Sequence, residues 1–367
     1  MHLAWLEVRD FRSYASTEFR PDPEVNVLVG ANGSGKTSIL EAIGYLATLS
    51  SFRRSPDSAL VRSGAVAAIT RGEFMSGPTG AVVEIETPAL GRRRVLLNGK
   101  GGRSRADIAG VVALVAFLPD DLDLVKRGPA HRREYLDDLA AQTWPVAGTE
   151  QADYDRALRQ RNALLRRDGR HADEATLDVL DERLATLGAL VLARRLGVVG
   201  LLSPVVSSFY ADLGDHPEPV GWEYLSAGLG VLGGERAAAT LVAPLAEAVA
   251  AARRADLDRR VTTVGPHRDD VMISLGGRDA RTRASQGEQR SIALGMRLAA
   301  YTVLTERRGT TPVLLLDDVF SELDAERGQR LVARFPAGQV FVTTARAEEV
   351  PLVGARWAVA NGEVVPA

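Results

Sequence analysis

The chain has 367 residues, 46% hydrophobic and 25% charged, with a formal net charge of −2. That length allows two domains, or one domain with a large insertion, around a sizeable core. The near-neutral balance predicts neither a nucleic-acid nor a membrane partner and confines any basic surface to a local patch, and the absence of cysteine excludes disulfides, thiol catalysis and thiolate metal sites.

No secretory leader is read at the start, where His2, Glu7, Arg9 and Asp10 break up the apolar residues. The best membrane candidate, residues 187–206, is interrupted by Arg194, Arg195 and Pro204. Lysine is confined to Lys36, Lys100 and Lys126 in a chain rich in arginine, alanine and glycine. That pattern fits a coding bias and lowers the weight of any arginine cluster.

Residues 3–8 read as a strand, Asp10-Phe11-Arg12-Ser13-Tyr14 as a turn, and 16–19 as a second strand. Pro21 and Pro23 mark a loop before a β-branched run at 24–29. Next comes Gly30-Ala31-Asn32-Gly33-Ser34-Gly35-Lys36-Thr37, a G-x-x-x-x-G-K-T phosphate-binding loop, and then helical apolar spacing over 38–46. Strand, glycine loop and helix are what phosphate binding needs. The glycines let backbone N–H groups curl around a phosphate, and the helix start adds partial positive charge. Lys36 can reach the β- and γ-phosphates of a nucleoside triphosphate, and the Thr37 hydroxyl can hold Mg²⁺.

A polar basic loop follows at Ser51-Phe52-Arg53-Arg54-Ser55. Strand-like runs cover 67–74, 81–87 and 93–97, with a hairpin signal at Asn98-Gly99. This half predicts a mixed sheet with an antiparallel portion beside the nucleotide. From Asp120 the texture turns helical, over 134–142, 153–167, 173–199 and 236–254, punctuated by Pro145, Pro204, Pro217 and Pro219. The segments are too short and too often broken for a long coiled coil. Strand texture returns from Arg260. The helical block is therefore expected as an insertion in an ATPase domain built from both chain ends: 1–120, an inserted lobe at 121–257, and 258–367.

Three later runs complete the expected site. The apolar residues 313–316 end in Asp317-Asp318, a buried parallel strand with carboxylates at its C-terminal edge. Asp317 is the residue expected beside Mg²⁺, and Asp318 the one expected to orient or deprotonate water. Ser285 and Glu288 fit a capping box ahead of helical spacing over 292–304. That is either a plain helix cap or a helix start aimed at an anion. Residues 339–344 read as a strand ending in Thr343-Thr344, either of which could stand near a γ-phosphate.

Taken together, these motifs resemble an ABC-class ATPase, with Ser285-Gln286-Gly287-Glu288-Gln289 similar to its signature motif and Ser321-Glu322-Leu323-Asp324 to its D-loop. The likeness is closer still to the RecF family of bacterial recombination mediators. It is carried by Asp10-Phe11-Arg12-Ser13-Tyr14, the phosphate loop with Leu40-Glu41-Ala42-Ile43, and Ser51-Phe52-Arg53. Phe117-Leu118-Pro119-Asp120-Asp121-Leu122 and Thr263-Val264-Gly265-Pro266-His267-Arg268-Asp269-Asp270 carry it further. The stretch from about 142 to 258 matches no motif. The resemblance implies an α/β fold: an ABC-type P-loop ATPase head with a mixed sheet and an inserted helical lobe.

It further implies a cytoplasmic DNA-repair protein that binds ATP with Mg²⁺ and dimerises with ATP. Such a protein hydrolyses ATP weakly and acts on DNA with RecO and RecR to load RecA at single-stranded gaps, in repair, replication and the SOS response. By motif position, residues 30–37 bind phosphates and Asp317 helps to hold Mg²⁺. Asp318 is the catalytic carboxylate, with Lys36, and Ser285 and Gly287 contact the nucleotide of a second copy. Arg12 is also carried over as a nucleotide contact. The chain departs from the broader class in carrying Asp318 where glutamate is usual and threonine where a switch histidine is common. It also lacks an obvious glutamine loop.

Two basic groups are candidates for DNA phosphates: Arg92, Arg93, Arg94, Lys100, Arg103 and Arg105, in a span without acidic residues, and Arg156, Arg159, Arg161, Arg166, Arg167 and Arg170. No aromatic interleaving suggests base stacking, so backbone contact is expected. The competing readings are the ATP-binding subunit of a membrane transporter, disfavoured by the large arginine-rich insert, and an SMC-like protein, which would need far more coiled coil.

Overall fold

Parallel strands buried on both faces are near-continuously apolar, and the runs at 25–29, 313–317 and 340–344 meet that condition. In the computed structural model they sit at the centre of a six-stranded sheet. Its order is Glu363–Pro366, Ala355–Ala360, Val25–Val29, Val340–Thr344, Val313–Asp317 and Leu114–Phe117. All neighbours are parallel except the edge hairpin formed by the last two strands of the chain. The described residues are 1–213, 218–322, 325–335 and 337–367. Leu323 and Asp324 of the expected D-loop, and Pro217, lie outside them.

A second six-stranded sheet is wholly antiparallel, ordered Tyr14–Phe19, His2–Phe11, Ala67–Ser76, Thr79–Pro88, Arg94–Leu97 and Lys100–Gly101. Asn98 and Gly99 make its last turn with φ of 51° and 73°, the left-handed pair that a two-residue hairpin needs. The predicted mixed sheet is thus two sheets, one antiparallel and one mainly parallel.

The helix Lys36–Thr48 packs against strands of both sheets. Ile39, Leu40, Ala42, Ile43, Tyr45 and Leu46 all have no solvent exposure, the all-round burial of a helix inside a core. Each of the larger side chains contributes roughly 1.5–3 kcal/mol by leaving water, so the helix that presents the phosphate loop is firmly held.

The chain divides into two compact units, Met1–Asp121 with Asp212–Gly214 and Met296–Ala367, and Leu122–Ala211 with Asp215–Gly295. The sequence predicts that the ATPase lobe resumes at 258. The strand Asp270–Leu275 instead pairs antiparallel with Val220–Ser226 of the second unit, and the first unit resumes at Met296. The second unit therefore carries its own four-stranded sheet beside its helices.

Two further expectations are revised. The helix Glu174–Leu213 runs through Pro204 instead of breaking there. A proline inside a helix costs about 3 kcal/mol, and the complete burial of Leu202, Val206 and Tyr210 offsets it. By length and composition, Glu174–Asp212 is also apolar enough to cross a membrane, which the interrupted sequence run did not predict. Its buried face, including Leu184, Ala189, Leu192 and Val198, and its buried Arg195, ion-paired to Asp137 at 2.7 Å, identify a core helix.

Candidate functional site

In an open parallel sheet, ligands bind at the C-terminal ends of the strands. Register places Thr343 opposite both Asp317 and Leu28, and Thr344 opposite Val29. The acidic strand end and the glycine loop are thereby brought to the same sheet edge. They share a cleft of about 640 Å³, lined by Asn32, Gly33, Gly35, Lys36, Thr37, Asp317, Asp318 and Thr343, with Arg12 and Arg53 at its sides.

Two glycines of the loop are required sterically. A Cβ on Gly30 would lie 2.4 Å from the Val359 carbonyl oxygen and 2.7 Å from Ser34 Oγ. Gly35 has φ of 109° and would drive a Cβ to 2.7 Å from the Tyr14 hydroxyl. Tyr14, fully buried, donates to the Gly35 carbonyl at 3.1 Å and so fixes the loop's exit. This role the sequence does not reveal, because it depends on a contact made 21 residues away.

Lys36 folds back over the loop, donating to the carbonyls of Gly30 at 2.6 Å and Ala31 at 3.0 Å. Burial lowers its ammonium below the ordinary lysine range, against the pull of Asp318 and Asp317. Ser34 Oγ is buried without a hydrogen-bond partner among the described residues. The first turn of the helix carries no acidic residue to neutralise its positive end. An under-satisfied hydroxyl, a desolvated cation and a free helix start together suit an anion.

Opposite the loop, Thr37 Oγ1 donates to Asp317 Oδ1 at 2.9 Å and Thr343 Oγ1 donates to the same oxygen at 2.7 Å. Asp317 is 5% exposed. Burial raises its carboxyl above the ordinary aspartate range, while the hydroxyls of Thr343 and Thr37 and the charge of Arg53 pull it down. Thr37 and Asp317 are hard oxygen donors of the kind Mg²⁺ prefers. Among the described residues no group of three or more His, Asp or Glu could hold a metal alone. An Mg²⁺ carried by phosphates needs only one or two protein oxygens, so these residues fit it.

Asp318 has φ of 53°, a left-handed conformation uncommon for a residue with a Cβ. Its N–H donates to Thr343 Oγ1 at 3.0 Å. Thr343 thus lines the cleft, whereas the Thr344 hydroxyl closes a local turn with the carbonyl and N–H of Arg346 at 2.9 and 3.0 Å.

Arg12 lines the cleft, but its guanidinium is engaged elsewhere. It donates to Glu41 at 2.5 and 2.8 Å, to the Ala59 carbonyl at 2.8 Å and to Ser55 Oγ at 2.8 Å. Glu41 is fully buried and also accepts from Ser51 Oγ at 2.5 Å. The loop at 51–55 is tied down at both ends by this carboxylate and this arginine. It presents Arg53, 45% exposed, 4.0 Å from Glu41.

Ser285 and Gly287 belong to the second unit and are not among the residues lining the cleft. The capping box forms: the Ser285 N–H donates to Glu288 at 2.6 Å and the Glu288 N–H to Ser285 Oγ at 3.3 Å. Ser285, Gln286 and Gly287 are exposed, and a Cβ on Gly287 would meet nothing within 4 Å.

The structure thins both basic groups. Arg93 pairs with Asp57 at 3.0 Å and lies over the Tyr45 ring at 5.9 Å, while Arg92, Arg94 and Lys100 are exposed. Arg161 is completely buried between Asp181 and Asp256, and cannot meet a partner.

The profile of the RecF/RecN/SMC N-terminal domain family matches residues 2–360. The DNA replication and repair protein RecF of Streptomyces avermitilis is 41% identical over 374 residues, covering 99% of each chain. A solved structure of the recombination mediator protein RecF-ATP in the RecFOR pathway is 30% identical, with a TM-score of 0.92, covering 100% of this chain and 97% of that one. An SMC head bound to the C-terminal winged-helix domain of ScpA is 18% identical with a TM-score of 0.57, covering 100% and 97%, a likeness of fold alone.

Proposed function

The chain belongs to the RecF/RecN/SMC N-terminal domain family, and from that premise we propose that it is an ATP-dependent DNA-binding recombination mediator acting in DNA replication and repair. The observation that carries the nucleotide reading is the convergence of Lys36, Thr37 and Asp317 at one sheet edge, with Thr37 hydrogen-bonded to Asp317 across 280 residues of sequence. Lys36, the backbone of residues 30–37 and Ser34 bind the triphosphate. Thr37 and Asp317 would hold Mg²⁺, which would supply charge neutralisation on the phosphates. Asp318 orients or deprotonates the attacking water, and hydrolysis is slow.

The second half of the site comes from another copy of the chain. Gly287 supports this: in the first turn of a helix it costs stability relative to alanine, no described residue lies within 4 Å of a Cβ placed on it, and it leaves the backbone open to an approaching phosphate. ATP bound at Lys36 of one subunit is sealed by Ser285 of the partner, the dimer grips the DNA backbone, and hydrolysis releases it. RecO and RecR are the proposed partners, loading of RecA at single-stranded gaps during repair and the SOS response the proposed outcome, and the cytoplasm the proposed location. Sedimentation with ATP and Mg²⁺ tests this. The wild type is expected to form dimers, and Lys36→Ala and Ser285→Arg to remain monomers. If both variants dimerise as the wild type does, the composite site is wrong.

A further inference from the structure

Thr343 occupies a position that its own sequence context leaves undistinguished from Thr344, at the end of an apolar strand. It is 1% exposed, and its single hydroxyl is used twice. As donor it reaches Asp317 Oδ1 at 2.7 Å, and as acceptor it takes the Asp318 N–H at 3.0 Å. The two bonds act on different things. The first fixes the rotamer of Asp317 and occupies the oxygen that also receives Thr37, and among the described residues none bonds to the other carboxylate oxygen, which is left for a ligand. The second holds the backbone where it turns left-handed at Asp318, φ 53°. That conformation is uncommon for a residue with a Cβ, although aspartate adopts it more readily than most, and the turn sets the direction in which the Asp318 side chain leaves the strand.

We propose that Thr343 is a positioning residue for both carboxylates of the cleft, orienting Asp317 through its hydroxyl proton and Asp318 through its hydroxyl lone pair. It touches neither water nor phosphate in this role, and a hydroxyl already donating its only proton to Asp317 has none to offer a γ-phosphate. This rests on the reading of the cleft as an ATP–Mg²⁺ site.

Thr343→Val removes the hydroxyl while keeping the side-chain shape, Thr343→Ala removes it without a branch, and Thr343→Ser keeps it. Binding of a fluorescent ATP analogue is measured for each with and without Mg²⁺, alongside kcat and KM for ATP. The valine and alanine variants are expected to keep wild-type affinity without Mg²⁺ and to lose the increase that Mg²⁺ brings. They are also expected to lose about tenfold or more in kcat, the scale of one lost hydrogen bond to a charged group. Serine is expected to lie within about twofold of the wild type, as the hydroxyl bonds are retained. The proposal is overturned if valine and alanine retain the Mg²⁺ effect and kcat, or if serine fails as badly as alanine; that comparison decides the matter even if the valine variant does not fold. Wild-type protein that binds no ATP would refute the nucleotide reading itself, a result separate from either of these.

Discussion

His267 sits in the middle of the Thr263-to-Asp270 motif, and its protonation is a direct test of what that motif does. Its Nδ1 lies 2.7 Å from the Tyr154 hydroxyl and its Nε2 3.1 Å from the Thr262 carbonyl. A carbonyl only accepts, so the Nε2 tautomer is set and Nδ1 accepts from Tyr154. Burial pushes the imidazole down to about 4, helped by Arg268 and Arg133, while the Thr262 carbonyl and Asp256 act the other way. The unfolded imidazole takes up its proton near 6.5 and the folded one near 4. Between those values the unfolded chain holds the extra proton, so stability falls as pH falls. From pH 7.5 to pH 5 the loss from this one group is roughly 2 kcal/mol by proton linkage. Urea denaturation followed by tryptophan fluorescence is the assay, since Trp144 and Trp222 both lie in the second unit. His267→Gln is expected to be less stable than the wild type at pH 7.5 and to close most of that gap by pH 5. Asp269, whose carboxyl burial raises, titrates in both proteins and cancels in the comparison. A gap that stays constant between pH 7.5 and pH 5 would refute the assignment of His267 as a buried neutral link.

Glu41→Gln removes the charge that holds Arg12 and leaves that guanidinium facing an amide. With Glu41 at 0% and Arg12 at 18% exposure, about 3 kcal/mol of stability is expected to go, the lower end for a broken buried pair. Denaturation of Glu41→Gln, Arg12→Gln and the double variant gives the coupling, and additive losses would mean the pair contributes nothing specific. Charge reversal of Arg92, Arg94 and Lys100 is expected to weaken DNA binding at moderate salt about tenfold or more and to flatten its salt dependence, with ATP binding unchanged. Unaltered DNA affinity in that titration rules out this patch.

What could be read from the sequence follows from how local each feature is. The phosphate loop, the capping box at Ser285 and Glu288, and the turn at Asn98-Gly99 are set by residues within a few positions of one another, and all three form. The buried strand at 313–317 was readable because burial on both faces demands an unbroken apolar run. Features set by distant partners were not readable. The strand at 270–275 carries no mark of pairing with 220–226. Arg93 stands in a sequence span without acidic residues yet pairs with Asp57, and nothing local marks Arg161 for burial between Asp181 and Asp256. Thr343 and Thr344 are chemically identical, and only register against Asp317 separates them. Helix propensity likewise ended the long helix at Pro204, where packing carries it on.

The same distinction bears on how the two halves of the proposed composite site differ. On the loop side, the carbonyls of Gly30 and Ala31 hold the Lys36 ammonium, which in the proposed site has to turn from them to a phosphate. On the signature side the helix start is built in advance. Gln289, buried beneath it, donates to the carbonyls of Ala280, Arg281 and Ala284 at 3.1–3.2 Å, and the capping box fixes Ser285 above. Little side-chain ordering remains to be done there when a partner arrives, so the cost of association is mainly the translational and rotational freedom of two subunits. In the proposed dimer, a nucleotide that draws Lys36 away from the carbonyls of Gly30 and Ala31 on one subunit would meet the capped Ser285-Gln286-Gly287 edge of another, which would make assembly depend on ATP.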